Sequence, residues 1–278
     1  PQASLTVIDQ STGEVKAIVG GRGDKTASKT LNRATDTTRQ PGSTFKILAS
    51  YSAALDAGGL TLASVQDDAP YTYAGANGKS VSNYDKRYRG FTTLREAITD
   101  SINIVTVKTL AQVGVSLGWQ YVQEYGFTTV DSRDMNEALA LGGITQGVSN
   151  LELTAAYAAI ANQGTYIKPK FYTKILDHDG NVLIDNTTPE SHTVIKDTTA
   201  WLLTSAMEDV MTSGTGTSAY FGSSMAQAGK SGTTTSSRDA LFAGYTPYYT
   251  CAVWGGYDDN AMQKGSDTNY PKRIWKAV

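Results

Sequence analysis

Apolar and polar positions alternate through "SLTVIDQSTGEVKAIVGG" (residues 4–21) on either side of the polar turn "QSTG", which predicts a β-hairpin with one buried face. Near the far end, "DALFAGYTPYYTCAVWGGY" (residues 239–257) repeats the pattern around "TPYY". Between these hairpins the apolar spacing becomes helical. Thr93 with Glu96 and Ser149 with Glu152 are capping-box pairs, and Gly114, Gly126, Gly164 and Gly214 stand where helices should stop. At least five helices are expected. "LDHDGNVLI" (176–184), with Asp-Gly between β-type runs, predicts a further hairpin. The stretch from Asp67 to Phe91, rich in Gly, Asn, Ser and Tyr, keeps no period and reads as a long irregular loop.

No internal repeat, low-complexity tract or linker divides the 278 residues, so residues 1–278 are expected to form one domain of two lobes: a sheet built from the terminal strands and an inserted helical lobe. Pro1 falls immediately before the first strand, which suggests a piece of something longer. A formal charge of -2 argues against nucleic acid as a partner. The longest apolar run, "AAYAAIA" (155–161), is far short of the roughly 20 residues that cross a bilayer, and no signal peptide opens the chain, so this piece is expected to be soluble. Cys251 is the only cysteine, which rules out an internal disulfide and a cysteine-based metal site; it reads as a buried strand residue.

Three short stretches carry candidate chemistry. In "RQPGSTFK" (39–46), Pro41 and Gly42 punctuate the chain and a helical pattern follows, which sets Ser43 at a helix start with Lys46 about one turn on, along the same face. A serine needs a base, and a lysine desolvated in a cleft can serve as one because burial disfavours its charged form. An N-cap serine followed by a surface lysine explains an isolated Ser-x-x-Lys equally well. A histidine base has only His178 and His192 to draw on, and both fall in predicted loops.

The second stretch is "DSINIV", where Ser101 and Asn103 stand two apart at a break between helical patterns. In an extended step both would face one way while Ile102 anchors in the core. A capping serine is the plainer alternative. The third is "GKSGTTT" (229–235), whose Lys230, Gly232 and consecutive hydroxyls suit an extended ligand that adds as a strand and ends in a carboxylate, or else form an ordinary polar turn.

Taken in order, Ser43-Thr44-Phe45-Lys46, Ser101-Ile102-Asn103 and Lys230-Ser231-Gly232 resemble the three motifs of the penicillin-binding and serine β-lactamase family. "NYDKRYRGFTTLREAITDSIN" (83–103), "ALGGITQGVSNLELTAAYAAIANQGTYIKP" (140–169) and "AGKSGTTTSSRDALFAGYTPYYTCAVWGGYDD" (228–259) narrow the resemblance to the transpeptidase domain of class A penicillin-binding proteins, over nearly the whole chain. The resemblance implies an α+β fold: an antiparallel sheet of N- and C-terminal strands flanked by helices, with an inserted all-helical subdomain and the site between them. It also implies an upstream glycosyltransferase domain and a membrane anchor, neither within residues 1–278, and through them a place on the extracytoplasmic face of a bacterial cytoplasmic membrane.

Carried over by position, the resemblance makes Ser43 the nucleophile toward the D-Ala-D-Ala end of a peptidoglycan stem peptide and Lys46 its base. Ser101 and Lys230 relay the proton, Asn103 positions the substrate amide, and Ser231, Gly232 and Thr233 line the carboxylate end. The backbone N–H groups of Ser43 and Thr233 form the oxyanion site. No metal or other cofactor is implied, and β-lactams are expected as acylating mimics. Ser231 stands where threonine is usual, which keeps the hydroxyl. No Glu-x-x-x-Asn occurs, which argues against efficient β-lactam hydrolysis. With the chain ending at Val278, the family's final helix is expected to be short or missing, leaving the sheet's outer face in doubt. A D,D-carboxypeptidase or slow β-lactamase using the same serine, and a non-catalytic β-lactam- or peptidoglycan-binding module, are the competing readings. The tyrosine-rich loop, Tyr71 through Phe91, is a candidate rim of the cleft.

Overall fold

The computed structural model describes residues 1–74 and 78–278. The first hairpin forms as expected, β1 (Gln2–Asp9) and β2 (Glu14–Val19). Residues 42–56 are then helical, a 3₁₀ turn (Gly42–Thr44) widening into a π-helical stretch (Lys46–Tyr51) and closing as α1 (Ser52–Asp56).

The region expected to be an irregular loop is instead two nested ribbons. β3 (Val65–Asp68) pairs with β6 (Gly90–Thr93), and inside them β4 (Tyr71–Thr72) pairs with β5 (Ser80–Val81). Strands of two to four residues are too short to show a period of two, which is why the pattern hid them. Of the tyrosine-rich stretch, residues 75–77 lie outside the described residues.

The helical lobe follows: α2 (Leu94–Thr99), α3 (Asn103–Val113), α4 (Val115–Glu124) and α5 (Asn150–Ala161). Both expected capping boxes close, Thr93 with Glu96 on α2 and Ser149 with Glu152 on α5. β7 (Thr165–Ile167) pairs with a later strand, β10 (Ser191–Thr193), and between them lies the Asp-Gly hairpin of β8 (Lys174–Leu176) and β9 (Val182–Asp185). α6 (Asp197–Thr212) leads into β11 (Ala228–Thr233), β12 (Asp239–Tyr245) and β13 (Tyr249–Gly256), and α7 (Tyr270–Ala277) ends the order.

The five long strands make one antiparallel sheet in the order β11-β12-β13-β1-β2, so the two chain ends meet where β1 pairs with β13 and β11 is left as an edge. Side-chain alternation gives the sheet two working faces. Lys230, Leu241, Ala243, Ala252 and Trp254 face inward to the large core shared with α5, α6 and the helical lobe. Phe242, Val253, Cys251 and Val7 face outward. A terminal helix is present there: Trp275 of α7 is buried against Phe242, ring centroids 5.1 Å apart, and its indole N–H donates to the carbonyls of Cys251 and Gly244. Cys251 is buried in the strand, as expected. Among the described residues no helix is long and apolar enough to cross a membrane.

Candidate active site

The 3₁₀ turn that carries Ser43 is fixed from two sides. Tyr157 of α5 donates its hydroxyl proton to the Thr44 carbonyl (2.7 Å), and the Thr44 hydroxyl donates to the Pro41 carbonyl (2.8 Å). Two glycines let edge strand β11 lie against this turn. A Cβ on Gly232 would stand 2.7 Å from the Pro41 oxygen, and one on Gly42, whose φ is +55°, only 3.0 Å from the Thr233 oxygen. Ser43 is half-buried in this seam, while Lys46, at the first position of the π-helical stretch, is fully buried.

Ser101 arrives by a different local device. α2 ends in a Schellman turn: the Ser101 N–H donates to Ile98 O, the Ile102 N–H donates to Ala97 O, and Ser101 takes the left-handed position with φ +56°. Glycine usually fills that place, because a side chain there costs about 1 kcal/mol. The extended step expected at Ser101 is therefore a left-handed one; Ile102 is extended and buried, and Asn103 opens α3. The outcome for the side chains is nevertheless that Ser101 and Asn103 meet one partner.

That partner is Lys46. Its ammonium nitrogen lies 2.6 Å from the Ser101 carbonyl, 2.6 Å from Asn103 Oδ1 and 3.1 Å from Ser101 Oγ. Lys230 reaches the same hydroxyl from the sheet, at 2.8 Å, and its own neighbour's carbonyl, Ser231 O, at 3.2 Å. Two fully buried lysines thus share one hydroxyl, and among the described residues no carboxylate is a hydrogen-bond partner of either. Burial, and secondarily the charge of Lys230, holds Lys46 well below the ordinary lysine range. Burial, with Lys272 nearby, draws Lys230 down to about 7. A neutral Lys46 has two protons for the Ser101 carbonyl and Asn103 Oδ1 and a lone pair left to accept one. Among the described residues no hydrogen bond holds the Ser43 hydroxyl, which stands one turn away on the same helical segment.

The β11 edge supplies the remaining wall. Thr234 N–H donates to Asp239 O, toward β12; by the antiparallel alternation the N–H groups of Thr233 and Ser231 point the other way, to the open edge. The Thr233 N–H is thereby free beside the Ser43 turn. Not every expected residue converges. The Ser231 side chain lies on the outer face, opposite Phe242 in register, and donates to Thr215 Oγ1 (2.7 Å) instead of joining Ser101 and the lysines. His178 is exposed, and His192 bonds the Glu124 carbonyl in a surface ribbon. Among the described residues no group of metal-ligating side chains occurs.

Comparison with known proteins decides the family. Residues 3–276 match the penicillin binding protein transpeptidase domain. The chain belongs to the penicillin-binding protein transpeptidase family. It is 39% identical to penicillin-binding protein 1F of Bacillus subtilis over 285 residues, covering 100% of this chain and 38% of that protein. To penicillin-binding protein 1A of Clostridium botulinum (strain Langeland) it is 36% identical, covering 99% and 34%. Among solved structures it resembles penicillin-binding protein 1A from Haemophilus influenzae (27% identity, TM-score 0.86, covering 99% of this chain and 47% of that one). It also resembles PonA1 from Mycobacterium tuberculosis in complex with penicillin V (25% identity, TM-score 0.84, 99% and 76%). The chain spans a little over a third of the length of these two curated relatives.

Three residues of this transpeptidase site were not legible beforehand. Asn83 meets Asn103, 20 residues on, Thr215 meets Ser231, 16 residues on, and Lys272 sits on the terminal helix, its ammonium on the Thr215 carbonyl (3.1 Å). Only the Asn-Tyr-Asp stretch around Asn83, part of the family resemblance, gave a signal.

Proposed function

We propose that residues 1–278 form the D,D-transpeptidase domain of a longer, membrane-anchored class A penicillin-binding protein. In that reading, its upstream glycosyltransferase part builds glycan on the extracytoplasmic face while this domain joins stem peptides. The observation that carries the reading is the Ser101 hydroxyl held between two buried lysines, one turn from a half-buried serine and beside a free strand edge. A module that only bound peptide would have no use for two desolvated lysines.

In the first half-reaction, neutral Lys46 takes the Ser43 proton as Oγ attacks the carbonyl carbon between the terminal D-alanines. The carbonyl oxygen becomes an oxyanion between the N–H groups of Ser43 and Thr233, a type of donor worth on the order of 10²–10³ in rate. The C–N bond then breaks, and the departing D-alanine leaves with a proton passed through Ser101 from the Lys46–Lys230 pair. Asn103 holds the substrate amide through the Nδ2 proton that Ser82 O does not use. In the second half-reaction an amine of another stem peptide attacks the ester, forming the new amide and returning the proton to Ser43. The substrate backbone adds to the β11 edge, with its carboxylate toward Thr233 and Lys230. A β-lactam ring opened by Ser43 gives the corresponding ester. PonA1, whose structure is in complex with penicillin V, is a related protein that supports binding of a β-lactam.

Incubation with a D-Ala-D-Ala peptide, with and without an added amine, tests the reaction class. Amide product that depends on the amine is expected. Free acid and D-alanine alone, at every amine concentration, would make the domain a carboxypeptidase.

A further inference from the structure

α3 begins at Asn103, and like any helix it leaves its first N–H groups without partners inside the helix. The residue before it, Ile102, is a core anchor with no side chain to cap them. The cap comes instead from 20 residues upstream. Asn83 Oδ1 accepts from the N–H groups of Asn103 (3.0 Å) and Ile104 (3.2 Å). The same amide's Nδ2 donates to both carboxylate oxygens of Asp68 (2.7 and 2.9 Å) and to the Arg87 carbonyl (2.8 Å). Asp68 is sealed from solvent and also accepts from the Arg89 N–H (3.0 Å).

This arrangement has one orientation. Turned over, the Asn83 amide would set N–H against the helix N–H groups and oxygen against a buried carboxylate, so Asp68 dictates which end of the amide meets α3. Ser82 O, the next carbonyl back, accepts from Asn103 Nδ2 at 2.7 Å. The Ser82–Asn83 pair therefore grips Asn103 by backbone and side chain together. It leaves Asn103 Oδ1 aimed at Lys46.

We propose that Asn83, oriented by Asp68, is a positioning residue for acylation: it sets the Ser101–Asn103 turn and with it the two acceptors that hold Lys46. The inference rests on Ser43 being the acylated residue. An ordinary cap at position 102 would stabilise the helix as well, but it would remove the core anchor and would not tie the turn to the β3–β6 ribbon.

The test is the rate constant for acylation by benzylpenicillin, followed across pH by intact-protein mass spectrometry. The samples are the parent, Asn83→Ala, Asp68→Asn, and Ser149→Ala as a control that removes the cap of α5 at a similar loss of stability. Asn83→Ala is expected to slow acylation at least about tenfold. It should also move the rising limb of the pH profile upward, because a loosened turn admits water to Lys46 and lets it hold its proton longer. Ser149→Ala should keep the parental rate and profile. If Asn83→Ala does not fold, Asp68→Asn, which keeps the amide and removes the charge, should show the same two changes in smaller measure. Parental rate and profile in a folded Asn83 or Asp68 variant, or changes no larger than those of Ser149→Ala, overturn the proposal. No adduct on the parent itself would instead sink the transpeptidase reading.

Discussion

The inner and outer faces of the same sheet are built to different ends. Inside, Lys230 and Lys46 are buried against one hydroxyl, an amide and two carbonyls, beside a serine in a conformation that suits glycine. Outside, Trp275 stacks on Phe221 and meets the edge of Phe242, and both carbonyls beneath its indole N–H accept from it. The outer face pairs the indole N–H it buries, and stability is what it yields. The inner face withholds stability: desolvated cations and a left-handed serine are tolerated only because the surrounding packing enforces them, the pattern expected where chemistry is done. Variants on the two faces should therefore separate activity from stability in opposite directions.

Lys230→Met should give the largest effect, a fall in acylation on the order of 10² or more. Its stability should move the other way. The unfolded chain keeps a proton on Lys230 up to about 10.5 and the folded chain only to about 7, so between those values the unfolded state binds more protons and folding strengthens as pH rises. The parent should gain roughly 2 kcal/mol from this group between pH 7 and 9 in urea melts, a gain absent from Lys230→Met. Equal pH dependence in the two proteins would break the contrast.

Trp275→Ala comes next and reverses the pattern. It should lose about 3–5 kcal/mol of stability with acylation per folded molecule unchanged. A melt that scarcely moves would mean that the outer face is not the stabilising one. Ser101→Gly is the smallest in stability and sharpens the inner-face account. Relief of the left-handed serine should add about 1 kcal/mol while acylation falls, because nothing then bridges the two lysines. A variant that is destabilised as well as inactive would argue that the serine is there for the fold.

What could be read from the sequence was local. The hairpins around "QSTG", "TPYY" and Asp-Gly, and the boxes Thr93–Glu96 and Ser149–Glu152, each specify themselves within a few residues. Ser43 and Lys46 are linked by helical spacing alone. Ser101 was legible as a hydroxyl but not as a Schellman residue, since the sequence offers no glycine to announce the left-handed turn. The π-helical widening at Lys46 has no signature of its own. Asn83 meets α3 from a stretch whose strands are too short to show a period, and Ser231 meets Thr215 from across the outer face. These depend on tertiary placement, and so does the sharing of one hydroxyl by two lysines 184 positions apart in sequence.

Ser43, on the mechanism proposed above, is an acylating nucleophile activated by this pair of lysines. This role is tested most directly by intact-protein mass spectrometry after incubation with benzylpenicillin, followed over hours, with Ser43→Ala alongside. One lasting adduct is expected on the parent chain and none on the folded variant. An adduct that persists on Ser43→Ala, or a folded parent that takes up none, would contradict it.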